Sequence, residues 1–508
     1  MDLRSVFPPR PAHPRYRRTA SALLGLTMAA ALTALPATPS HAAPQAATGP
    51  LLSYFVNTHP GHAAALVAEQ QIAQAGGTVV HSYEQIGVVV AHSDNPAFAG
   101  TLRATRLFDS VGATRTAPLA PALESNPVGL SAEEAAAADS AADAGQEPLE
   151  PLQWDIRAIK ADQAHAVSLG SRRVLVGVID TGVDDTHPDL APNFDAADSV
   201  SCVSGAPDTT PGAWRPTAEA PGYYHGTHVA GTIAAARNGI GVTGVAPGVR
   251  VAAIKVSEPT KSRFYPESVV CGFVWAAEHH VDITNNSYYT DPWYFNCLDN
   301  PDQKAVVESV RRAAGYAEHR GTLHVASAGN KSWDLAAKSI TDTYSPNDGT
   351  PVNREIDPRK CLDLPSGLPG VVTVAATGAL NLKSSYSNYG QTVIDVAAPG
   401  GDWTFYQPPQ APAVSGGILS TMPDGDGYGY LNGTSMASPH VAGVAALLKS
   451  THPDASPHQI AKMLEQQADA LSCPVPYDID RNAVCQGGTP YNGFYGHGLV
   501  NALRAVTP

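Results

Sequence analysis

The 508-residue sequence predicts an α/β fold in which a mostly parallel central sheet lies between two helical layers, preceded by a smaller α/β unit. Beyond residue 151, apolar runs typical of buried strands are separated by segments long enough for crossover helices; the runs are 174–179, 251–256, 323–328 and 371–375. Hydrophobic residues make up 43% of the chain and charged residues only 15%, which indicates a large core. Ligands of such a sheet bind at the carboxyl ends of its strands.

Residues 1–42 have the pattern of a secretory signal peptide. Basic residues, among them Arg17 and Arg18, lead into an apolar run that is followed by prolines and a small-residue site ending at Ala42. The run is shorter than the roughly 20 residues that a membrane-spanning helix needs, although such a helix is the alternative. The paired arginines leave a twin-arginine export route open. We therefore expect a secreted, extracellular protein with no membrane span after signal cleavage.

The segment 43–116 carries a βαββαβ pattern, which is the ferredoxin-like arrangement. Its predicted elements are strands at 51–56, 78–83, 87–92 and 107–111, a helix at 62–74 and a second helix after Asn95-Pro96. The segment 117–150 holds seven acidic residues and no Lys or Arg, a composition typical of a solvated linker. Because it is also rich in Ala, an ordered helical arm is the alternative. The apolar strands and crossover segments of the central sheet belong to a third segment, residues 151–508.

The cysteines predict disulfides rather than a metal or redox site. They are six in number, at positions 202, 271, 297, 361, 473 and 485, and none has Cys-x-x-Cys spacing. In an exported protein an even number of cysteines indicates three bridges, for which 15 pairings exist. We favour Cys473 with Cys485, because the short segment between them resembles a stapled loop. Buried free thiols are the alternative.

Three short segments carry the groups needed for nucleophilic catalysis. A buried strand ends on Asp180, a helix rich in small residues begins with His225, and a Gly-Thr-Ser turn places Ser435 at the start of an apolar helix. A serine hydroxyl becomes a nucleophile when an imidazole accepts its proton, and a carboxylate orients that imidazole. The backbone N–H beside Ser435 lies at the positive end of its helix. His228 and His440, inside the same helices, are interpreted as structural.

The three groups follow one another along the chain in the order Asp, His, Ser. In this order the segments resemble the signature motifs of the subtilisin-like serine proteases (subtilases), and the resemblance runs from Trp154 to Ala502. A fourth match, the segment 327–330, resembles the family's oxyanion segment. The resemblance implies a three-layer subtilisin-like fold and a serine endopeptidase in which Asn330 donates its side-chain amide to the oxyanion. It also implies that 43–116 is a prosegment, which assists folding and acts as an intramolecular inhibitor until autocleavage between residues 117 and 154 releases it.

By the same resemblance, five residues bind the substrate: Ser287, Tyr288, Ser327, Ala328 and Gly329. The chain departs from the family here, because Tyr288 and Tyr289 follow Ser287 where the family commonly has Ser-Leu-Gly-Gly, and the segment 257–266 lacks the usual glycines. The two rings are expected to narrow or reshape the pocket. Extended peptides are expected to bind by strand addition.

The resemblance also implies a structural calcium site. Six residues would supply carboxylate, amide or carbonyl oxygens, the ligands that calcium prefers: Asp189, Ala236, Asn238, Ile240, Val242 and Glu150. An ordinary hydrogen-bonded turn is the alternative. No organic cofactor is expected.

The sequence thus predicts a secreted, monomeric serine endopeptidase of proteins or peptides, made as an autoprocessed zymogen. Nucleic acid is not expected as a partner, because 32 basic against 46 acidic residues give a formal net charge of −14 and the chain has no basic run. Two alternatives stay open. One is a narrow-specificity protease that matures a single peptide, and the other is a non-catalytic binding protein locked by its prosegment.

Overall fold

The computed structural model describes residues 49–118, 128–129, 142, 145–218, 220–423, 427–474 and 482–507. The predicted signal peptide lies outside the described residues, as does most of the predicted linker. Within the described ranges, no helix combines the length and the apolar character needed to cross a membrane.

The first folded part is a four-stranded antiparallel sheet with two helices. Its strands are β1 (Leu52–Asn57), β2 (Gly77–Tyr83), β3 (Val88–Ser93) and β4 (Ser110–Ala113), and its helices are α1 (His62–Gln74) and α2 (Phe98–Thr105). The strand order across the sheet is β2-β3-β1-β4, and the βαββαβ order along the chain is the one that the sequence predicts. After α1, Gly76 has a φ of +82°, a left-handed conformation that glycine adopts without steric cost. Val56, Ile72 and Phe98 lie in the core between this sheet and its helices.

The second part is built on a seven-stranded sheet in which all neighbouring strands are parallel. In order across the sheet, the strands are β16 (Val396–Pro399), β15 (Val371–Thr377), β11 (Leu323–Ser327), β9 (Ile283–Asn286), β6 (Leu175–Asp180), β8 (Arg250–Lys255) and β7 (Val200–Ser201). Strands buried on both faces explain the near-continuous apolar runs of the sequence. The four strands predicted for this sheet are present, with ends displaced by at most two residues.

Helices cover both faces of this sheet, which confirms the predicted three-layer α/β class. The long helices are α5 (His225–Ala234), α6 (Pro266–Glu278), α7 (Pro301–His319) and α8 (Thr434–Thr451), and the shorter ones are α3 (Trp154–Ala158), α4 (Ala161–His165), α9 (Pro457–Gln467) and α10 (Ala502–Val506). In β6, Val176 and Val178 face the core formed with α5 and α8, while Leu175 and Ile179 face the core formed with α6 and α7. The two-residue alternation of a strand thus fills both cores.

Short strands and three disulfides complete the fold. The strands are β5 (Val128–Gly129), β10 (Asn296–Cys297), β12 (Ile340–Asp342), β13 (Arg354–Ile356), β14 (Cys361–Leu362), β17 (Ile418–Thr421), β18 (Tyr428–Leu431), β19 (Gly487–Gly488) and β20 (Tyr491–Asn492). The disulfides are Cys202–Cys271, Cys297–Cys361 and Cys473–Cys485. The prediction of three bridges, including Cys473 with Cys485, is confirmed.

The four-stranded sheet packs directly on α7. The side-chain amide of Asn57 donates a hydrogen bond to the carbonyl oxygen of Ala305 at 3.0 Å. A Cβ atom at Gly112 would lie 2.5 Å from the Cα of Asp302, so the close approach of β4 to the helix requires a glycine there. The first folded part therefore covers the helical layer opposite to the one that contains α5 and α8.

Candidate active site

Asp180 and His225 meet at the carboxyl edge of the parallel sheet. Because β6 ends on Asp180 and α5 begins with His225, Nδ1 of the imidazole lies 2.8 Å from Oδ1 of the carboxylate. The Asp180 side chain is fully buried, whereas 22% of the His225 side chain is exposed. Burial lowers the pKa of His225, but the charge and the hydrogen bond of Asp180 raise it by more, so the pKa lies above its usual value of 6.5.

Ser435 lies in the first turn of α8 and is tied to the end of β9. Its hydroxyl donates to the carbonyl oxygen of Ser287 at 3.1 Å, and the Ser287 hydroxyl donates to the carbonyl oxygen of Ser435 at 2.8 Å. The Ser435 hydroxyl is thus directed at Ser287.

The side chain of Asn330 is oriented by Thr434. Its Oδ1 accepts from the backbone N–H of Thr434 at 2.9 Å and from the Thr434 hydroxyl at 2.7 Å, so the amide NH2 group points elsewhere. A Cβ atom built on Gly433 would lie 3.4 Å from Nδ2 of Asn330 and 3.5 Å from the backbone N of Ser435. Two hydrogen-bond donors therefore border the same small space, an arrangement suited to stabilising an oxyanion.

The loop that carries Asn330 is held by Asn388, a residue that the sequence analysis missed. The Asn388 amide donates to the Ala328 carbonyl at 2.8 Å, and its Oδ1 accepts from the backbone N–H groups of Lys331 and Trp333, each at 3.0 Å. The backbone N–H of Asn388 donates to the carbonyl of Gly329 at 2.9 Å. Asn388 comes 58 residues after Asn330, and no local pattern in the sequence connects the two.

A cavity of about 270 Å³ opens beside Ser435. Ser287, Ser327 and Gly329 line it, as do Tyr288, Tyr289, Tyr294 and Phe264. The Tyr288 ring stacks on Phe264 with 4.6 Å between centroids, and the Tyr289 ring stacks on Tyr294 with 4.3 Å between centroids. The two tyrosines that depart from the family pattern therefore form an aromatic wall.

Ala328, which the resemblance places among the substrate-binding residues, has its side chain in the core. Its side chain is fully buried and packs with Ala375 and Phe494 behind the sheet edge, away from the cavity. Strand β11 ends at Ser327 and Gly329 has a φ of +95°, so the chain changes direction here: Ser327 and Gly329 line the cavity, while the Ala328 side chain faces the core.

His228 and His440 occupy buried positions away from the Asp180–His225 pair. Nε2 of His228 donates to the carbonyl oxygens of Ile418 at 2.9 Å and Gly429 at 3.2 Å, and burial lowers its pKa to about 3. The ring of His440 lies 2.9 Å from the Asp155 carboxylate. These contacts link α5 and α8 to the surrounding chain, in keeping with structural roles.

Most of the predicted calcium ligands cluster around one loop. The Asp189 side chain is buried, and its Oδ2 accepts from the backbone N–H of Val242 at 3.0 Å. The backbone carbonyl of Asp189 accepts from the N–H of Ala236 at 2.8 Å, and Asn238 donates from its side chain to Pro188 at 3.2 Å. Among the described residues, no group of three or more His, Cys, Asp or Glu could hold a metal ion. A cation at this loop would therefore depend largely on amide and carbonyl oxygens.

Two acids of the preceding segment, Glu147 and Glu150, contact this loop. The Glu150 carboxylate lies 3.3 Å from the guanidinium of Arg237 and accepts from the backbone N–H of Glu147 at 3.0 Å. The Glu147 carboxylate accepts instead from the backbone N–H of Gly239 at 2.7 Å. Glu147 thus binds the backbone of the loop, whereas Glu150, buried in a short 3-10 turn at 150–152, pairs with the side chain of Arg237 within it.

Comparisons with known proteins agree with this arrangement. The model of the subtilase family matches residues 171–498. Subtilisin from Bacillus pumilus is 32% identical over 355 residues, and Subtilisin Savinase from Lederbergia lenta is 34% identical over the same length; each alignment covers 70% of this chain and 98% of the relative. Among solved structures, the epidermin leader peptide processing serine protease of Staphylococcus aureus aligns with a TM-score of 0.65 and 22% identity, covering 90% of this chain and 98% of that one.

An acid–histidine pair, a serine at a helix N-terminus and two neighbouring hydrogen-bond donors, all at the carboxyl edge of a parallel sheet, are features of a serine hydrolase. The family match narrows this class: the chain belongs to the subtilase family. Its activity is that of a serine endopeptidase.

Proposed function

We propose that Ser435, His225 and Asp180 form the catalytic triad of a secreted endopeptidase. Ser435 Oγ attacks the carbonyl carbon of the scissile bond while Nε2 of His225 accepts its proton. His225 then donates that proton to the leaving amine, which leaves an acyl-enzyme, and water releases the acyl group by the same steps. Asp180 accepts a hydrogen bond from Nδ1 and stabilises the imidazolium. The observation that carries this proposal is the 2.8 Å contact between Asp180 and His225.

The tetrahedral intermediate carries a negative oxygen that needs donors already in place. Nδ2 of Asn330 and the backbone N–H of Ser435 border the space next to Gly433 and are assigned to it. Thr434 donates both hydrogen bonds that Oδ1 of Asn330 accepts. These bonds hold the amide with its NH2 group, rather than its oxygen, toward the oxyanion.

The enzyme is made as a zymogen. Residues 1–42 are the signal peptide, 43–116 the prosegment, 117–150 a linker with the processing site, and 151–508 the catalytic domain. The packing of the four-stranded sheet on α7 supports an inhibitory prosegment, and Arg312 of α7 strengthens the contact by pairing with Asp109 at 2.7 Å. Secretion is supported by the N-terminal sequence pattern and by the three disulfides.

A structural calcium ion fits the loop 236–242. Asp189 presents a buried carboxylate whose Oδ1 has no hydrogen-bond partner among the described residues, and burial raises its pKa to about 6. A hard cation would stabilise this carboxylate in its charged form. Asp189, Asn238 and the carbonyls of the loop would hold the ion, with Glu147 from the preceding segment. For Glu147 to hold the ion in the mature enzyme, processing must cut the chain before this residue.

The intact mass of the secreted wild type beside Ser435→Ala, with and without casein, tests this proposal. The wild type should lose the residues before the processing site and digest casein, while Ser435→Ala should stay long and inert. If both proteins mature equally, self-processing is excluded. If both stay long and a fluorophosphonate probe labels neither, the non-catalytic binding alternative is favoured.

A narrow-specificity maturation protease is the second candidate. The aromatic wall formed by Tyr288 and Tyr289 favours it, since these rings occupy space beside Ser435. A structural relative at 22% identity is described as a leader peptide processing protease. A wild type that matures but leaves casein intact would support this candidate over a general protease.

A further inference from the structure

Arg115, at the end of the first folded part, is buried against an acidic residue of the catalytic domain. Its guanidinium forms an ion pair with the Glu267 carboxylate and lies 3.7 Å from the centroid of the Tyr265 ring. The exposed fractions of the two side chains are only 7% for Arg115 and 1% for Glu267. Burial raises the pKa of Glu267, but the Arg115 charge lowers it by more, so the carboxyl group stays charged.

Arg115 and Tyr265 line a second cavity, together with Glu258, Lys261 and Asp348, and this cavity adjoins along the chain the one beside Ser435. Glu267 is in the first turn of α6, and the residues just before that helix, 262–264, line the cavity. The residues after Arg115 are fixed nearby, because the Asp348 carboxylate accepts from the backbone N–H of Thr116 at 2.9 Å and of Ala117 at 3.2 Å. The chain then continues into the predicted processing region.

The pair joins two parts of the chain that processing separates. Glu267 belongs to the catalytic domain and stays with it, whereas Arg115 is lost with the prosegment. Among the described residues, Arg115 is the only Lys or Arg in an ion pair with Glu267. Loss of Arg115 with the prosegment leaves the Glu267 carboxylate without its cation and opens it to solvent. The mature enzyme therefore has a preformed place for a cation next to the ring of Tyr265.

We propose that Glu267 and Tyr265 form a subsite for an arginine side chain of the peptide substrate, several residues before the scissile bond, and that Arg115 fills this subsite in the precursor. Arginine suits it better than lysine, because a planar guanidinium can stack on the tyrosine ring while it donates to the carboxylate. The upstream position follows from chain direction, since Arg115 precedes the region where processing occurs. This inference rests on the proposed endopeptidase function.

The test uses the mature enzyme and a set of internally quenched peptides that share one cleavable sequence. A single Arg is placed in turn at each of the upstream positions, and each peptide is matched by versions with Lys and with citrulline, which has the shape of Arg without its charge. At one position, kcat/KM should be at least about tenfold higher for Arg than for citrulline. Glu267→Gln should remove this preference. Glu278→Gln, at the opposite end of α6, is the matched control and should retain it.

The outcomes distinguish failure of the arginine subsite from failure of the proposed endopeptidase function. If the wild type cleaves the peptides with no preference between Arg and citrulline at any upstream position, the subsite is absent. A preference that persists in Glu267→Gln assigns it to another residue and also overturns the inference. Failure of the wild type to cleave any peptide contradicts the proposed function instead. The citrulline comparison needs only the wild type, so it is decisive even if Glu267→Gln does not fold.

Discussion

Replacing Asn330 by alanine removes one of the two donors assigned to the oxyanion and leaves Asp180, His225 and Ser435 unchanged. Both donors lie next to Gly433. A Cβ atom built on that residue would be 3.4 Å from Nδ2 of Asn330 and 3.5 Å from the backbone N of Ser435. Loss of one such donor costs about 10²–10³-fold in kcat, a magnitude known from a subtilisin, which corresponds to roughly 3–4 kcal/mol. The effect should fall on kcat rather than KM, because the substrate carbonyl acquires its negative charge only in the transition state.

The comparison variant is Thr434→Val, which keeps the Asn330 amide but removes the hydroxyl that donates to its Oδ1 at 2.7 Å. A single neutral hydrogen bond contributes about 0.5–1.5 kcal/mol, so kcat should fall by about tenfold or less. Steady-state kinetics on a peptide anilide would give kcat and KM separately, and titration with a fluorophosphonate would give the concentration of active sites. An unchanged kcat in Asn330→Ala, or a loss confined to KM, would refute the assignment of Asn330.

Three further predictions concern the base, the loop at Asp189 and the aromatic wall. The kcat/KM of the mature enzyme should rise with pH through a pKa above 6.5, because His225 acts as a base only when neutral and Asp180 raises its pKa. In Asp180→Asn this rise should move to lower pH, and kcat should be about 10⁴-fold lower. An unshifted pH profile in that variant would contradict the pairing. Calcium at 100 times its Kd should stabilise the wild type by about 2.7 kcal/mol, measured as a higher Tm than in chelator. Asp189→Asn should abolish the difference, and a wild type with the same Tm in both solutions has no site. Tyr289→Gly should enlarge the cavity beside Ser435 and raise the preference for Phe over Ala before the scissile bond by about tenfold or more, and equal ratios in both enzymes would exclude Tyr289 from the pocket.

The fold, and the contact between Asp180 and His225, can be predicted from the sequence for a common physical reason. Each of these residues stands at the end of a strongly patterned element, so the strand or helix that positions it can be recognised from a few neighbouring residues. Parallel strands bring their carboxyl ends to one edge of the sheet. Knowing the element and its direction is therefore enough to bring Asp180 and His225 together, without any knowledge of the intervening loops.

The surroundings of Glu150 and Ala328 depend on local backbone geometry that motif spacing does not describe. The resemblance implies that Glu150 supplies an oxygen to the loop at Asp189; the short turn at 150–152 buries its carboxylate against Arg237, and Glu147 accepts from the backbone N–H of Gly239. Ala328 lies between the end of β11 and Gly329, whose φ is +95°, and its side chain packs in the core.

Glu267 shows why tertiary partners are harder still to predict. In the sequence it is an acid in the first turn of a helix, where a negative charge is favourable near the positive end of the helix dipole, and that local explanation is sufficient by itself. Its partner Arg115 lies 152 residues away and belongs to a different folded part. Burial changes the meaning of the residue, because a charge that is harmless at the surface requires a partner inside the protein. Among the described residues, this first-turn acid pairs with Arg115 alone. Under the proposed processing, its charge would lose that partner and become available to the next peptide that binds.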